Sequence, residues 1–309
     1  MPADDLPLAV YQRGDRSTSL HGSWYRGETC NFIPSKADLA EPDPIGRFIM
    51  PGWIPAAPFV GRKMLITAFG SCFAQHVSNY LAARGYNIAG HGLDLNAHII
   101  RFGEGMVNTF AIRQQFEWAF GEREFPDYLW IGPNKEVASV DPAIREETLR
   151  IFNGTEVFII TLGLSEIWYD KATGEAFWRA IPQAIFDPEK HGFRVSTVPE
   201  NLENLRTIHR LIRQARPTAP IIVTLSPIPL MATFRPVSCL TANSVSKAVL
   251  RVAIDEFVRS ADDKRLHYFP SYEIVGEIYG NARDDDNRHV KMEVVHSVMQ
   301  TFERYYCIP

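Results

Sequence analysis

Cysteine is scarce in this chain: the four residues, Cys30, Cys72, Cys239 and Cys307, stand far apart and show no paired spacing. That excludes a zinc site built on close cysteine pairs, and equally a dense disulfide framework. Long apolar runs are missing too, and no segment approaches the roughly 18 apolar residues that a membrane span requires. Charge of either sign is modest, with a formal net charge of −4 and no basic block longer than a few residues. Nucleic acid is therefore not an expected partner. No pair among the nine histidines has metal-ligand spacing, so no metal is expected. The N-terminus carries Asp4 and Asp5 without a long apolar stretch, which does not read as a signal peptide. Repeats and low-complexity tracts are absent. What remains is the expectation of a soluble, cytoplasmic protein, long enough at 309 residues to bury a large core.

Residues 1–62 are rich in proline, glycine and aromatics, including Trp24, Tyr25, Phe32, Trp53 and Phe59, and show no clear period. So many aromatics argue for an irregular N-terminal extension packed on a core rather than a disordered tail. From residue 63 onward strand-like and helix-like segments alternate. Short apolar runs at 64–69, 156–162 and 221–225 read as strands buried on both faces, which favours a parallel sheet covered by helices. Helices are predicted at about 73–84, 109–120, 241–259 and 291–305. Another starts at Asp141-Pro142 and stops at Gly154, and another starts at the capping signal Thr197-x-x-Glu200. The pattern is that of a three-layer α/β/α domain over residues 63–309. In such sheets the ligand site lies beyond the carboxyl ends of the strands, where residues 70–72, 163–166 and 226–229 fall.

The richest of these edges is Gly70-Ser71-Cys72-Phe73-Ala74. An apolar run stops at a glycine, two potential nucleophiles follow, and a helical pattern begins with Val77, Tyr80 and Leu81. A strand, tight turn and helix in that order expose the turn residue, and the helix start offers N–H groups to an anion. The attacking atom is either the Ser71 oxygen or the Cys72 sulfur. Gly103, Gly105 and Asn108 are candidates for steadying an oxyanion, the glycines otherwise forming an ordinary turn. Asn243 and Lys247 share one side of a predicted helix. They either point at a substrate carboxylate, phosphate or sugar hydroxyl or belong to a polar helix face. Trp168, Tyr169 and Trp178 are placed to stack on a sugar or acyl chain, or to pack a wall.

The Gly70-Ser71-Cys72-Phe73-Ala74 run resembles the signature of the GSCFA domain family, which is related to the SGNH (GDSL-type) hydrolases. Thr161-Leu162-Gly163, Thr224-Leu225-Ser226-Pro227, Ala242-Asn243-x-x-Ser246-Lys247 and Tyr268-Phe269-Pro270-Ser271-Tyr272-Glu273 extend the likeness over roughly residues 63–305. The resemblance implies a flavodoxin-like, SGNH-hydrolase-type parallel sheet. Laid over the SGNH blocks without gaps, Cys72 takes the nucleophile position and Ser71 the aspartate position. Gly163-Leu164-Ser165-Glu166 then falls on the oxyanion block, with Ser165 replacing its asparagine. Asp286-Asn287-Arg288-His289 keeps the terminal Asp-x-x-His, which implies His289 as general base and Asp286 as its orienting partner.

The expected activity is acyl transfer: an ester or thioester hydrolase, or an O-acyltransferase acting on a small molecule or a carbohydrate. No cofactor is expected, with acyl-CoA a conceivable donor substrate. Because two of the three blocks have changed chemistry, the competing expectation is an SGNH-like binding module without catalysis.

Overall fold

The computed structural model describes residues 9–13, 15–20, 30–93, 95–101, 106–131 and 141–309. The chain divides into two units, residues 1–42 and 43–309. In the first, β1 (Ala9–Arg13) pairs antiparallel with β2 (Arg16–Leu20), Arg13 lying opposite Arg16. A short helix, α1 (Lys36–Ala40), follows and is opened by a Ser35–Asp38 capping box. The unit boundary thus falls at residue 42 rather than the expected 62, and residues 43–62 belong to the larger unit. Burial is the reason: Met50 and Val60 are fully enclosed in its core, and Val60 bridges to Cys307. Trp53 also packs edge-on against Tyr268 at 5.1 Å.

The larger unit runs β3 (Ile66–Gly70), α2 (Cys72–Ala82), α3 (His98–Arg101), α4 (Thr109–Ala119) and α5 (Pro142–Gly154). It continues with β4 (Val157–Leu162), β5 (Glu166–Asp170), β6 (His191–Val195), α6 (Val198–Ala215) and β7 (Ile221–Leu225). The last elements are α7 (Cys239–Ser260), β8 (Leu266–Tyr268), α8 (Ser271–Glu273) and α9 (Met292–Tyr306).

Strands β3, β4, β7 and β8 form a parallel sheet in that order, and Ile88 adds a parallel bridge to Ile66 on the free side of β3. The strands are apolar on both faces because both are covered. Phe158, Ile160 and Leu162 join Phe69 and Val223 against α4, α5, α6 and α7. Val157 and Ile159 turn the opposite way, with Ile66 and Ile222, against α2 and α9. The result is the three-layer arrangement expected from the alternation. Its order is that of flavodoxin-like sheets, with the Ile88 segment outside β3 and the later strands added beyond β4. The connections therefore leave β3 and β4 in opposite directions, which opens a crevice beyond the carboxyl ends of these two strands.

Gly70 ends β3 in that crevice with φ +130°, and a Cβ there would collide with the Thr161 carbonyl oxygen of β4. Gly70→Ala is expected to lower stability by about 3 kcal/mol or more, since it combines left-handed strain with a backbone clash. Gly85, with φ +78° and open space around it, is the control, expected to cost about 1–2 kcal/mol on replacement by alanine. Urea midpoints of the two variants measure the difference; equal losses would exclude the Thr161 contact as the cause.

Candidate active site

Ser71 follows Gly70 directly and is the N-cap of α2: its hydroxyl accepts the Phe73 N–H at 3.2 Å, and its own N–H donates to the Thr161 carbonyl at 3.1 Å. The side chain is nearly buried, yet it borders a cavity of about 600 Å³. Gly163, just past β4, borders the same space. A Cβ on it would stand 3.0 Å from the Val107 Cβ, a tight contact, and 3.5 Å from the Ser71 Cβ, an ordinary one. The Gly163 N–H is spent on the Val107 carbonyl, at 2.7 Å. Asn108 caps α4, its Oδ1 accepting the Ala111 N–H at 2.9 Å. Asn108 is also a lining residue of the cavity, and its amide nitrogen has no hydrogen-bond partner among the described residues.

The remaining wall is largely apolar and aromatic. The hairpin of β5 and β6 contributes Ile167, Trp168 and Phe193, and the segment after β7 contributes Ile228, Leu230 and Phe234. Trp168 meets Phe234 edge-on at 4.8 Å, and Trp178 stacks on Trp130 at 4.7 Å, so both tryptophans are wall residues. Tyr169 is not part of the lining. Charged groups on the wall are Glu166, 3.4 Å from an Arg235 nitrogen, together with Arg179 and Arg288.

Other residues singled out in the sequence hold the frame instead. Ser165 is fully buried; its N–H donates to the Ser246 hydroxyl at 2.9 Å, and its carbonyl accepts from the N–H and hydroxyl of Ser196. It does not line the cavity. Lys247 is likewise buried, and its Nζ donates to the carbonyls of Gly163 at 2.7 Å and Ser226 at 2.8 Å. It therefore ties the ends of β4 and β7 together, and it is not a cavity residue either. Burial pushes its pKa down to about 7, with the nearby Arg283 and Arg288 charges adding to the effect. Asn243 accepts the Leu230 N–H at 3.0 Å and borders a second cavity of about 180 Å³. Gly103 and Gly105 lie outside the described residues, as does the side chain of Cys72.

Asp286 and His289 sit in a short hairpin closed by the Arg283–Val290 bridge. Its tip residue Asn287 takes a left-handed φ of +54°, which asparagine tolerates better than most side chains. Asp286 Oδ1 accepts the N–H groups of Arg288 and His289, each at 2.9 Å, and Oδ2 meets His289 Nδ1 at 2.5 Å. These bonds, the backbone ones foremost, hold the Asp286 carboxyl down at about 2. Arg288 Nη1 lies 3.0 Å from His289 Nε2. A guanidinium has donors only, so Nε2 is the unprotonated nitrogen and the ring proton sits on Nδ1, shared with Asp286. The His289 and Asp286 side chains are 52% and 47% exposed. Neither lines the large cavity; Asp286 borders the smaller one, and Arg288 lines both and contacts His289.

Arg288 is the residue that sequence reasoning overlooked: inside a run of charged residues, one arginine carries no periodic signal. The wall after β7 did leave a trace, since Ile228, Leu230 and Met231 are apolar residues in a proline-containing loop beyond a strand end.

These features define a parallel α/β domain with a helix-capping turn and an apolar cavity at its topological switch point. The sequence matches the model of the GSCFA family over residues 65–302, and the chain belongs to that family. No curated protein matches the sequence. Among the described residues, no helix is long and apolar enough to cross a membrane.

Proposed function

We propose that this protein is an acyl-transfer enzyme whose nucleophile is carried by the Ser71–Cys72 turn and whose base is His289. The observation that carries the reading is the cavity: a turn of this kind opens at the β3/β4 switch point onto a largely apolar space beside the Asn108 amide. The ungapped SGNH alignment favours Cys72 as the nucleophile. Ser71 as the helix cap is consistent with that, because serine and aspartate are both strong caps and exchange at that position keeps the function.

In this mechanism His289 takes the Cys72 proton, and the thiolate adds to an ester or thioester carbonyl carbon. The tetrahedral oxyanion is stabilised by the Asn108 amide and the Cys72 N–H at the start of α2. Collapse breaks the bond to the leaving group, which receives the proton from His289. The S-acyl enzyme then passes its acyl group to water or to a hydroxyl, for example on a carbohydrate, and the thiol is re-formed. Acyl-CoA suits the donor role because a thiolate exchanges readily with a thioester.

The test is a panel of p-nitrophenyl esters and acyl-CoA thioesters of increasing chain length, with trapping of the S-acyl enzyme by mass spectrometry. Ser71→Ala is expected to cost about 1 kcal/mol of stability through the lost cap, and Ser71→Asp to restore it while turnover survives in both. Loss of turnover in Ser71→Ala alone, with an active Cys72→Ala, would transfer the nucleophile to Ser71. One observation favours a non-catalytic module instead, namely that His289 Nε2 is taken up by Arg288. Under that reading octanoyl-CoA binds the cavity and is recovered unchanged.

A further inference from the structure

Arg288 occupies an unusual position. Its guanidinium borders the large cavity that Ser71 also borders, and one of its nitrogens donates to His289 Nε2 at 3.0 Å. Its Nε is buried with no hydrogen-bond partner, and among the described residues no carboxylate forms an ion pair with it. Asp286 is bound to His289 and two backbone N–H groups. On the cavity wall, Glu166 Oε1 lies 3.4 Å from Arg235, and its Oε2 is buried without a partner. Arg283, whose Nε is also buried without a partner, adds positive charge on the same side. A guanidinium at a cavity wall with unused donors and no counter-ion is a receptor for an oxyanion.

We propose that Arg288 binds a phosphate or carboxylate group of the substrate and, in turning to it, releases His289 Nε2 to act as the base. The inference rests on the acyl-transfer reading for its second half, and it narrows the substrate to an amphiphile. The apolar portion lies against Trp168, Phe193 and Phe234, and the anionic group meets Arg288. The contact to Nε2 is then a latch: it keeps that nitrogen occupied until a substrate of the right charge arrives. Exchanging a neutral imidazole acceptor for an oxyanion favours release, because the guanidinium then pairs with an opposite charge and can bind it through two parallel N–H donors.

Octyl phosphate, octanoate and neutral octyl glucoside are titrated against the full chain, with tryptophan fluorescence as the binding signal. His289 availability is read separately as carbethoxylation of its peptide by diethyl pyrocarbonate. The wild type is expected to bind at least one anionic probe about ten- to a hundredfold more tightly than octyl glucoside, and His289 modification to rise as that probe saturates. Arg288→Ala is expected to lose the preference, keep its octyl glucoside affinity and show high His289 modification without any probe. Arg288→Lys is expected to retain part of the preference. Binding of octyl phosphate alone identifies a phosphate receptor; equal binding of octanoate identifies a general oxyanion receptor. An anion preference that survives in Arg288→Ala, or His289 modification that does not respond to the bound anion, overturns the proposal. Neither readout needs turnover, so an enzyme inactive on every ester would refute the acyl-transfer reading while leaving anion capture measurable.

Discussion

Cys72→Ala is expected to reduce ester and thioester turnover by at least about 10³-fold, leaving only what binding and oxyanion stabilisation supply. The protein should fold normally, since Cys72 is the first residue of α2 and the cap belongs to Ser71. His289→Ala is expected to lower the rate by about 10²–10⁴-fold, the range for loss of a general base. The two losses should not add, because base and nucleophile act on one proton. Thiol alkylation supplies a readout independent of turnover. In the wild type, iodoacetamide should report a Cys72 thiol titrating below the free value of about 8.5, lowered by the helix start. An anionic probe that engages Arg288 should lower it further, and His289→Ala should remove that response. A thiol titrating at the free value, unmoved by His289→Ala, would leave Cys72 without activation and the mechanism without a nucleophile.

The second large effect is on stability and comes from Lys247. Its Nζ satisfies two strand-end carbonyls in a dry interior, and each would cost about 1–3 kcal/mol if left without a donor. Lys247→Ala also leaves a void, so a loss of about 3–5 kcal/mol is expected, read from the urea midpoint. Lys247→Met fills the volume, still orphans the carbonyls, and should cost less than alanine. The pH dependence has a definite sign. Below about 7 the amine is protonated in both folded and unfolded chains, and it contributes no slope. Between about 7 and the unfolded value near 10.4, the unfolded chain holds a proton that the folded one has released. Folding therefore strengthens as pH rises through this window, by an amount on the order of a few kcal/mol. The difference between wild type and Lys247→Met isolates the effect, since methionine does not titrate. A flat difference from pH 7 to 10 would mean that Lys247 stays charged in the folded protein.

Much of the fold is legible because its signals are local. The capping box at Thr197 and Glu200 opens α6 where the sequence places it, and Asp141-Pro142 and Gly154 bound α5 as predicted. The runs at 157–162 and 221–225 are apolar but for Thr161 and Thr224 and buried at every position, as a strand is when both faces are covered. The β5–β6 hairpin was not legible. Its strands are separated by a long irregular connection, and their pairing depends on contacts distant in sequence. Lys247 and Asn243, four residues apart on α7, read alike in the sequence. Yet one is buried on two carbonyls and the other borders the smaller cavity. Helical spacing marks a face but does not say what covers it.

The sequence by itself determined the parallel α/β architecture, the strand–turn–helix at Gly70-Ser71-Cys72 and membership of the GSCFA family. Each of these is written in residues that act on their immediate neighbours: apolar runs, caps, and a glycine where no other residue clears the next strand. Tertiary structure alone decided that Ser165 and Lys247 serve the frame, that aromatic side chains from separate segments enclose the cavity, and that Arg288 links it to His289. Those outcomes depend on which distant backbone groups arrive to accept a hydrogen bond, a quantity that spacing along the chain does not encode.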